Sequence, residues 1–284
     1  MTVQPPLSTS VGVIAGAGGL PFAVASSLQA RGIRPVVFGV RGFCDQSRIA
    51  GYDHHWVALG QVGRLTRLLR AEQCRDVVFI GALVRPALSE IRLDFGTLRV
   101  IPQIASALRG GDDHLLTGVA RIFEAHGFRL LGIQDVAPDL IMPAGALGRV
   151  LPDADATADI DRGLMALHAI GPWDIGQALV IIDGHIVGVE DIEGTDGLLA
   201  RISRLREQGR IRAARGRGVL VKAPKATQDL RFDLPTLGPK TIEGAVAAGL
   251  RGVAIVAGKA IVAEPQLIVG VADKADVFVV GVPA

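Results

Sequence analysis

Aromatic side chains are scarce in this sequence, only 4% of its 284 residues, and cysteine occurs only at Cys44 and Cys74. Two cysteines without a Cys-x-x-Cys spacing argue against a disulfide-built scaffold or a thiolate zinc site, and are read as free thiols in a reducing compartment. The formal net charge of +2 leaves no field able to grip nucleic acid by bulk electrostatics. No run of about 18 apolar residues is free of charges and turn residues, so no membrane-spanning helix is expected. The opening MTVQPPLSTS lacks the basic start and apolar core of a secretory signal. These absences predict a cytoplasmic protein whose membrane contact, if it has any, is peripheral.

What the chain does contain is apolar residues, 49%, and 36 glycines, the profile of an α/β protein. Residues 11–15, 35–40 and 76–80 read as strands, with 21–30 and 65–71 as helices between them, and 129–132 as a fourth strand after helices at 101–108 and 115–125. Strand, helix and strand at this spacing specify a parallel sheet with crossover helices. Pro138, Pro143, Gly145, Gly148 and Pro152 then interrupt the pattern as a linker would. Beyond them, a helix at 156–169 precedes strands at 178–183 and 186–190, which flank Gly184-His185, a two-residue hairpin signal. Strands at 218–222, 253–256, 260–262 and 277–282 and helices at 241–248 and 265–273 complete the chain. The expected fold is α/β, with an N-terminal Rossmann-like parallel-sheet domain over 1–136, a linker over 137–155 and a C-terminal mixed α/β domain over 156–284.

Gly16-Ala17-Gly18-Gly19-Leu20-Pro21 stands where the first strand turns into the first helix. Glycines there let backbone N–H groups approach an anion at a helix N-terminus, which makes Gly16, Gly18 and Gly19 candidate contacts to phosphate or nucleotide. A plain turn accounts for the string equally well. As a dinucleotide fingerprint it is broken, because Pro21 replaces the third glycine and the second strand ends at Val40-Arg41 rather than at an acid. Asp53-His54-His55 has the residue types of a metal site, but it follows the turn-like Ala50-Gly51-Tyr52 and is expected in a surface loop. Asp112 or Asp113 is expected to cap the apolar helix that follows, with a ligand-facing acidic pair as the alternative.

The second half is richer in chemistry. Asp174-Ile175-Gly176-Gln177 leads into the hairpin, whose exit reads Glu190-Asp191-Ile192-Glu193-Gly194-Thr195-Asp196-Gly197. Four acids in seven residues repel one another unless a cation or hydrogen-bond donors compensate. Thr195 or Asp196 would cap a helix at 198–205, yet strand exits are also where α/β sites collect. From Lys222 to Pro235 the chain reads Lys-Ala-Pro-Lys-Ala-Thr-Gln-Asp-Leu-Arg-Phe-Asp-Leu-Pro. If 229–233 is extended, Asp229, Arg231 and Asp233 share one face. Cleaving a pyrophosphate requires cations to hold phosphate, carboxylates to hold Mg²⁺ and an oriented water, and this segment carries those residue types. A salt-bridged surface loop is the alternative.

In Gly12 through Pro21, Gly111-Asp112-Asp113, Asp174 through Gln177, Glu193 through Asp196 and Lys222 through Thr241, the sequence resembles the bacterial UDP-2,3-diacylglucosamine pyrophosphatases of the lipid A pathway, the type unrelated to calcineurin-like metallophosphoesterases. The matching strings run in order along nearly the whole chain, and Gly-Thr-Asp and Gln-Asp-x-Arg-x-Asp-Leu-Pro are the specific ones. The resemblance implies two domains joined by a short linker with the lipid held between them. It implies hydrolysis of UDP-2,3-diacylglucosamine to 2,3-diacylglucosamine 1-phosphate and UMP, with Mg²⁺ as cofactor and a catalytic or metal-binding acid at Asp229 or Asp233. Ala226-Thr227 stands where Pro-Gly is expected, a change in loop stiffness that removes no charge.

On this reading Asp229 and Asp233, with Glu193 and Asp196, hold Mg²⁺. Lys222, Lys225 and Arg231 neutralise phosphate charge, and Gln228 belongs to the same catalytic string. Gly16, Gly18, Gly19, Asp112, Gln177, Gly194 and Thr195 contact substrate. Membrane contact is peripheral, at the cytoplasmic face of the inner membrane, and a homo-oligomer stays open. A calcineurin-like enzyme would need a Gly-Asn-His-Asp string, which is absent. Two rivals stand beside the hydrolase: a nucleotide-sugar oxidoreductase or epimerase using the Rossmann-like half, and a non-catalytic UDP-sugar or lipid-binding protein. The broken fingerprint predicts that titration with NADH, followed by its fluorescence, shows no saturable binding; saturation would restore the oxidoreductase.

Overall fold

A computed structural model of the protein describes residues 6–82, 94, 112–173, 175–224 and 234–283, with the backbone alone over 112–117. The chain divides into two compact units, one ending at Asp139 and the next starting at Leu140.

The first unit runs β1 (Ser10–Ala15), α1 (Leu20–Ala30), β2 (Arg34–Val40), α2 (Gln46–Ile49), β3 (His54–Val57), α3 (Val62–Ala71), β4 (Asp76–Ile80), α4 (Asp112–Ala125), β5 (Arg129–Leu130) and α5 (Ile133–Val136). Its sheet has the order β3-β2-β1-β4-β5, parallel throughout. Every residue of β1 is buried, as a parallel strand covered on both faces requires, and this is why Val11 through Ala15 form a continuous apolar run. Val36 and Phe38 of β2, Leu69 of α3, Val77 of β4 and Phe123 of α4 share one core. Because β2 and β4 lie on opposite sides of β1, the glycine turn after β1 stands where the strand order reverses. Gly16 is required there by close backbone approach: a Cβ would lie 2.8 Å from the Ala82 carbonyl oxygen.

One buried ion pair fastens this sheet. Asp76, fully buried at the start of β4, accepts hydrogen bonds of 2.6 Å from both Nε and Nη2 of Arg129 on β5, and 2.7 Å from the Ser8 backbone N–H. Burial pushes the Asp76 carboxyl up, but the bonds from Arg129 and Ser8 outweigh it and hold the group below its usual range.

The second unit runs β6 (Gly145–Ala146), α6 (Ala154–Ile170), β7 (Ala178–Ile182), β8 (His185–Val189), α7 (Gly194–Glu207), β9 (Val219–Lys222), β10 (Thr236–Leu237), α8 (Pro239–Ala247), β11 (Gly252–Val256), β12 (Ile261–Val262), α9 (Pro265–Lys274) and β13 (Phe278–Val282). Its main sheet is mixed, in the order β6-β13-β11-β9-β7-β8. The three central strands β13, β11 and β9 are parallel, while β6, β7 and β8 pair antiparallel. Leu198 and Ile202 of α7, Ile242 of α8 and Ile268 of α9 join one core. Ile160 and Leu167 of α6 pack with Leu179, Ile181, Val219 and Val221 in another, so helices cover both faces of the sheet. The α/β class, parallel first and mixed second, is the one expected.

Several local expectations change. The hairpin turn is Asp183-Gly184, not Gly184-His185: both residues have positive φ, 50° and 77°, and His185 already pairs with Ile182. Two left-handed residues in a row match the twist of the flanking strands. Asp159 holds the turn by accepting the Asp183 and Gly184 N–H groups at 3.1 and 2.6 Å. His54 and His55 open the edge strand β3 rather than a loop, and Asp53 binds Arg34 at 2.8 Å while His55 binds Glu72 at 2.7 Å. α4 opens at Asp112 itself, so Asp112 and Asp113 lie in its first turn rather than ahead of it. Within segment 137–155, Gly145–Ala146 pairs with β13 in the second unit's sheet. The helix expected at 101–108 lies outside the described residues.

Arg129→Met leaves the Asp76 charge buried without its cation. The expected loss is about 3–5 kcal/mol of unfolding free energy in urea. Since the Asp76 carboxyl titrates lower in the folded chain than in the unfolded one, its contribution is present above about pH 4 and fades as pH falls further. The stability difference between wild type and Asp76→Asn should therefore shrink on acidification.

Candidate active site

The apolar run Val219-Leu220-Val221 makes β9 a strand buried on both faces, and its last residue, Lys222, is carried into the interior with it, only 3% exposed. An ammonium there costs several kcal/mol unless polar groups meet it. They come from the neighbouring chain ends. β7 runs antiparallel to β9 with Ala178 opposite Lys222, so Gln177 lies beside the strand's exit, where its carbonyl accepts the Ala223 N–H at 3.0 Å. Glu190, just past β8 and 6% exposed, is fixed by its own N–H on the Ala178 carbonyl at 2.8 Å. One carboxylate oxygen of Glu190 accepts the Gln177 N–H at 3.1 Å, and the other accepts the Thr195 hydroxyl at 2.9 Å. Lys222 Nζ in turn donates to Thr195 Oγ1 at 2.8 Å and to the Thr236 carbonyl at 3.4 Å. The result is a directed relay, ammonium to hydroxyl to carboxylate, at the end of the sheet where the parallel strand β9 finishes.

Burial pushes the Lys222 ammonium down from its usual range, while the negative charges of Glu190 and Asp196 push it back up. Two polar positions in this cluster stay open. Among the described residues the third N–H of Lys222 meets no acceptor, and Gln177 Oε1 is a buried acceptor with no hydrogen-bond partner. Buried polar atoms are normally satisfied, so an open donor and an open acceptor in one cluster fit contact with a polar ligand. The first turn of α7 adds to this. It follows Glu193 without any side-chain cap and begins at Gly194, φ 71°, so its backbone N–H groups and dipole favour an anion. Thr195 therefore does not cap the helix, as its sequence position suggests; its hydroxyl serves Glu190 and Lys222.

The crowded acids are compensated one by one. Glu190 lies in the relay, and Glu193 binds Arg201 Nε at 2.9 Å and Nη2 at 2.5 Å. Asp191 accepts the Glu193 N–H at 3.3 Å, and Asp196 sits in the first turn of α7, where the dipole favours a negative charge. No group of three or more His, Cys, Asp or Glu side chains that could hold a metal occurs among the described residues. Glu193 and Asp196 alone do not form a metal centre.

Of the expected site residues, the structure joins Gln177, Thr195 and Lys222, with Gly194 adjacent in the chain. Lys225, Gln228, Asp229, Arg231 and Asp233 lie outside the described residues, and Asp112 is described by its backbone alone. Gly16, Gly18 and Gly19 belong to the first unit. There the Gly16 and Ala17 N–H groups bond to the Ile80 and Ala82 carbonyls, Gly18 has φ 95°, and Gly19 precedes α1 without a side-chain cap. Glu190 is the residue that sequence reasoning left without a role. Its signal was an acid and a lysine at the ends of two apolar strands, but only the register of β7 between them brings the two together.

Gly176 is pressed against this cluster: with φ 31°, a Cβ would fall 2.0 Å from the Glu190 carbonyl oxygen. Gly176→Ala is expected to displace Glu190 and to cost about 1–3 kcal/mol in denaturant unfolding. Gly270→Ala, in open space on α9, is expected to gain about 0.5–1 kcal/mol, so the two substitutions should move stability in opposite directions.

The LpxI N-terminal domain matches residues 10–140 and the LpxI C-terminal domain residues 143–280. A relative from Caulobacter vibrioides, named UDP-2,3-diacylglucosamine pyrophosphatase LpxI, is 42% identical over 274 residues, covering 96% of this chain and 97% of that protein. Among solved structures, a UDP-glucose-4-epimerase from Stenotrophomonas maltophila is 19% identical with a TM-score of 0.28, over 43% of this chain and 35% of that one. A UDP-glucose 4-epimerase from Thermus thermophilus is 14% identical with a TM-score of 0.31, over 97% and 86% of the two chains. Likenesses that low carry no functional argument. Both domains and nearly the full length agree on one assignment: the chain belongs to the LpxI family.

Proposed function

We propose that this protein hydrolyses the pyrophosphate of UDP-2,3-diacylglucosamine, releasing UMP and 2,3-diacylglucosamine 1-phosphate for lipid A synthesis. Family membership across both domains supports the substrate, as does the name of the Caulobacter vibrioides relative. The observation that carries the chemistry is the 2.8 Å bond from Lys222 to Thr195, which ties the start of the lysine- and aspartate-bearing segment to the Gly-Thr-Asp turn.

In this reading the open N–H of Lys222 and the N–H groups at the start of α7 bind oxygens of the diphosphate. Lys225 and Arg231 add positive charge, and Gln177 Oε1 accepts a hydrogen bond from the substrate's sugar. Water attacks the phosphorus nearer the sugar, the bond from that phosphorus to the bridging oxygen breaks, and the bridging oxygen departs on UMP. Negative charge grows on that oxygen as the bond breaks, and preorganised donors stabilise it. Magnesium belongs to the proposal as an ion that Asp229 and Asp233, with Asp196, would hold, where it would offset phosphate charge and acidify a bound water. Glu193, engaged by Arg201, contributes to that set only if the pair opens.

The acyl chains need an apolar surface. Trp173 and Ile175, just ahead of Gln177, and Ile192, just past Glu190, are 77%, 42% and 104% exposed. These side chains support acyl-chain contact and a peripheral position at the cytoplasmic face of the inner membrane. No helix among the described residues is long and apolar enough to cross a membrane.

The purified protein is expected to release UMP from UDP-2,3-diacylglucosamine, to stop in EDTA and to recover with Mg²⁺. Asp229→Ala or Asp233→Ala, measured separately on folded protein, should lower the rate by about 100-fold or more. Full activity in both variants would overturn the assignment of these acids, and binding of the UDP-sugar without turnover in Mg²⁺ would favour the non-catalytic rival.

A further inference from the structure

The relay at the end of β9 contains a residue to which neither the specific sequence strings nor the reaction scheme assigns a part. Glu190 is buried, carries no direct bond to Lys222, and reaches it only through the Thr195 hydroxyl. A carboxylate used merely to offset a buried ammonium would gain most by touching it. Here a hydroxyl is interposed, and its geometry fixes a direction: Thr195 donates to Glu190 and accepts from Lys222. The carboxylate is itself held by the Gln177 N–H, and its backbone by the Ala178 carbonyl, so it has little freedom to reorient. With one Nζ–H on Thr195 and a second on the Thr236 carbonyl, the tetrahedral ammonium is left a single direction for its third.

We infer that Glu190 is a positioning residue of the pyrophosphatase reaction: acting through Thr195, it holds the Lys222 ammonium in place and aims its remaining N–H at an oxygen of the diphosphate. The inference rests on the hydrolase reading above and deepens it. Glu190 touches neither substrate nor reacting atoms. The Gln177 N–H on the same carboxylate couples the two open positions, because Gln177 offers the buried Oε1 and Lys222 the unused N–H. One carboxylate thus sets the placement of both the donor and the acceptor that a phosphorylated sugar would meet. Charge that develops on the bridging oxygen in the transition state gains more from a fixed ammonium than ground-state binding does.

The test compares UMP release from UDP-2,3-diacylglucosamine by the wild-type chain and by Glu190→Gln, which keeps the shape and removes the charge. The expected result is a fall in kcat of about 100-fold with KM changed less than about threefold, on protein whose circular dichroism is unaltered. Thr195→Val, which cuts the relay and keeps the carboxylate, should lose kcat in the same way, and Thr195→Ser should restore it. A purely structural role would lower the melting temperature and leave kcat per folded molecule unchanged. Wild-type kcat in Glu190→Gln, with an active wild-type enzyme, overturns this inference and leaves the hydrolase standing. If Glu190→Gln does not fold, wild-type kcat in Thr195→Val overturns it instead. No UMP from the wild-type chain overturns the hydrolase and this inference together.

Discussion

A buried ammonium at the end of a strand is the constraint around which the second unit's site is arranged. β9 has to be apolar on both faces to sit between β11 and β7, and a strand buried that way carries its last residue inward whatever its chemistry. Lysine in that position is tolerable only because three separate pieces of chain converge on it: Thr195 from α7, the Thr236 carbonyl from β10, and the charge of Glu190 relayed through Thr195. The first unit uses the same solution in a different place, with Asp76 buried at the start of β4 and gripped by Arg129. The difference is instructive. Asp76 has its bonds filled from Arg129 and Ser8, as a structural pair should, whereas the Lys222 cluster keeps one donor and one acceptor open among the described residues. Stability requires the first arrangement; recognition of a polar ligand requires the second.

Most of the fold was legible because central parallel strands are buried on both sides and so appear as unbroken apolar runs. Val11 through Ala15, Val36 through Val40 and Val219 through Val221 need no partner to be recognised. Edge elements escape the same reasoning. β6 and β10 are two residues long, too short for any period to show, and β3 begins with two histidines, which pair with β2 although they lack strand-like chemistry. The hairpin turn moved by one residue because Asp183 takes the left-handed conformation beside Gly184, a choice made by Asp159 from α6 and invisible locally.

The site was legible in its residue types and not in its contacts. Gln177, Thr195 and Lys222 each stood in a string that marked them, and the structure brings the three together. Glu190 was passed over as one acid among several, because its importance lies in the register that sets Ala178 opposite Lys222 and places the end of β8 alongside. Register is a tertiary property, and a one-residue slip would have turned Lys222 to the other face. The same logic governs the charges at the acidic exit. Four neighbouring carboxylates need positive charge nearby, and among the described residues Arg201, two turns along α7, binds Glu193 while Lys222 arrives from β9.

The central claim, that the β9 end and the Gly-Thr-Asp turn together receive a diphosphate, is tested most directly by the structure of the protein with UDP-2,3-diacylglucosamine bound. The account predicts Lys222 Nζ about 3 Å from a diphosphate oxygen, with the Thr195 and Glu190 contacts preserved. A diphosphate seated away from the end of β9, with Lys222 still bonded only to Thr195 and Thr236, would contradict it.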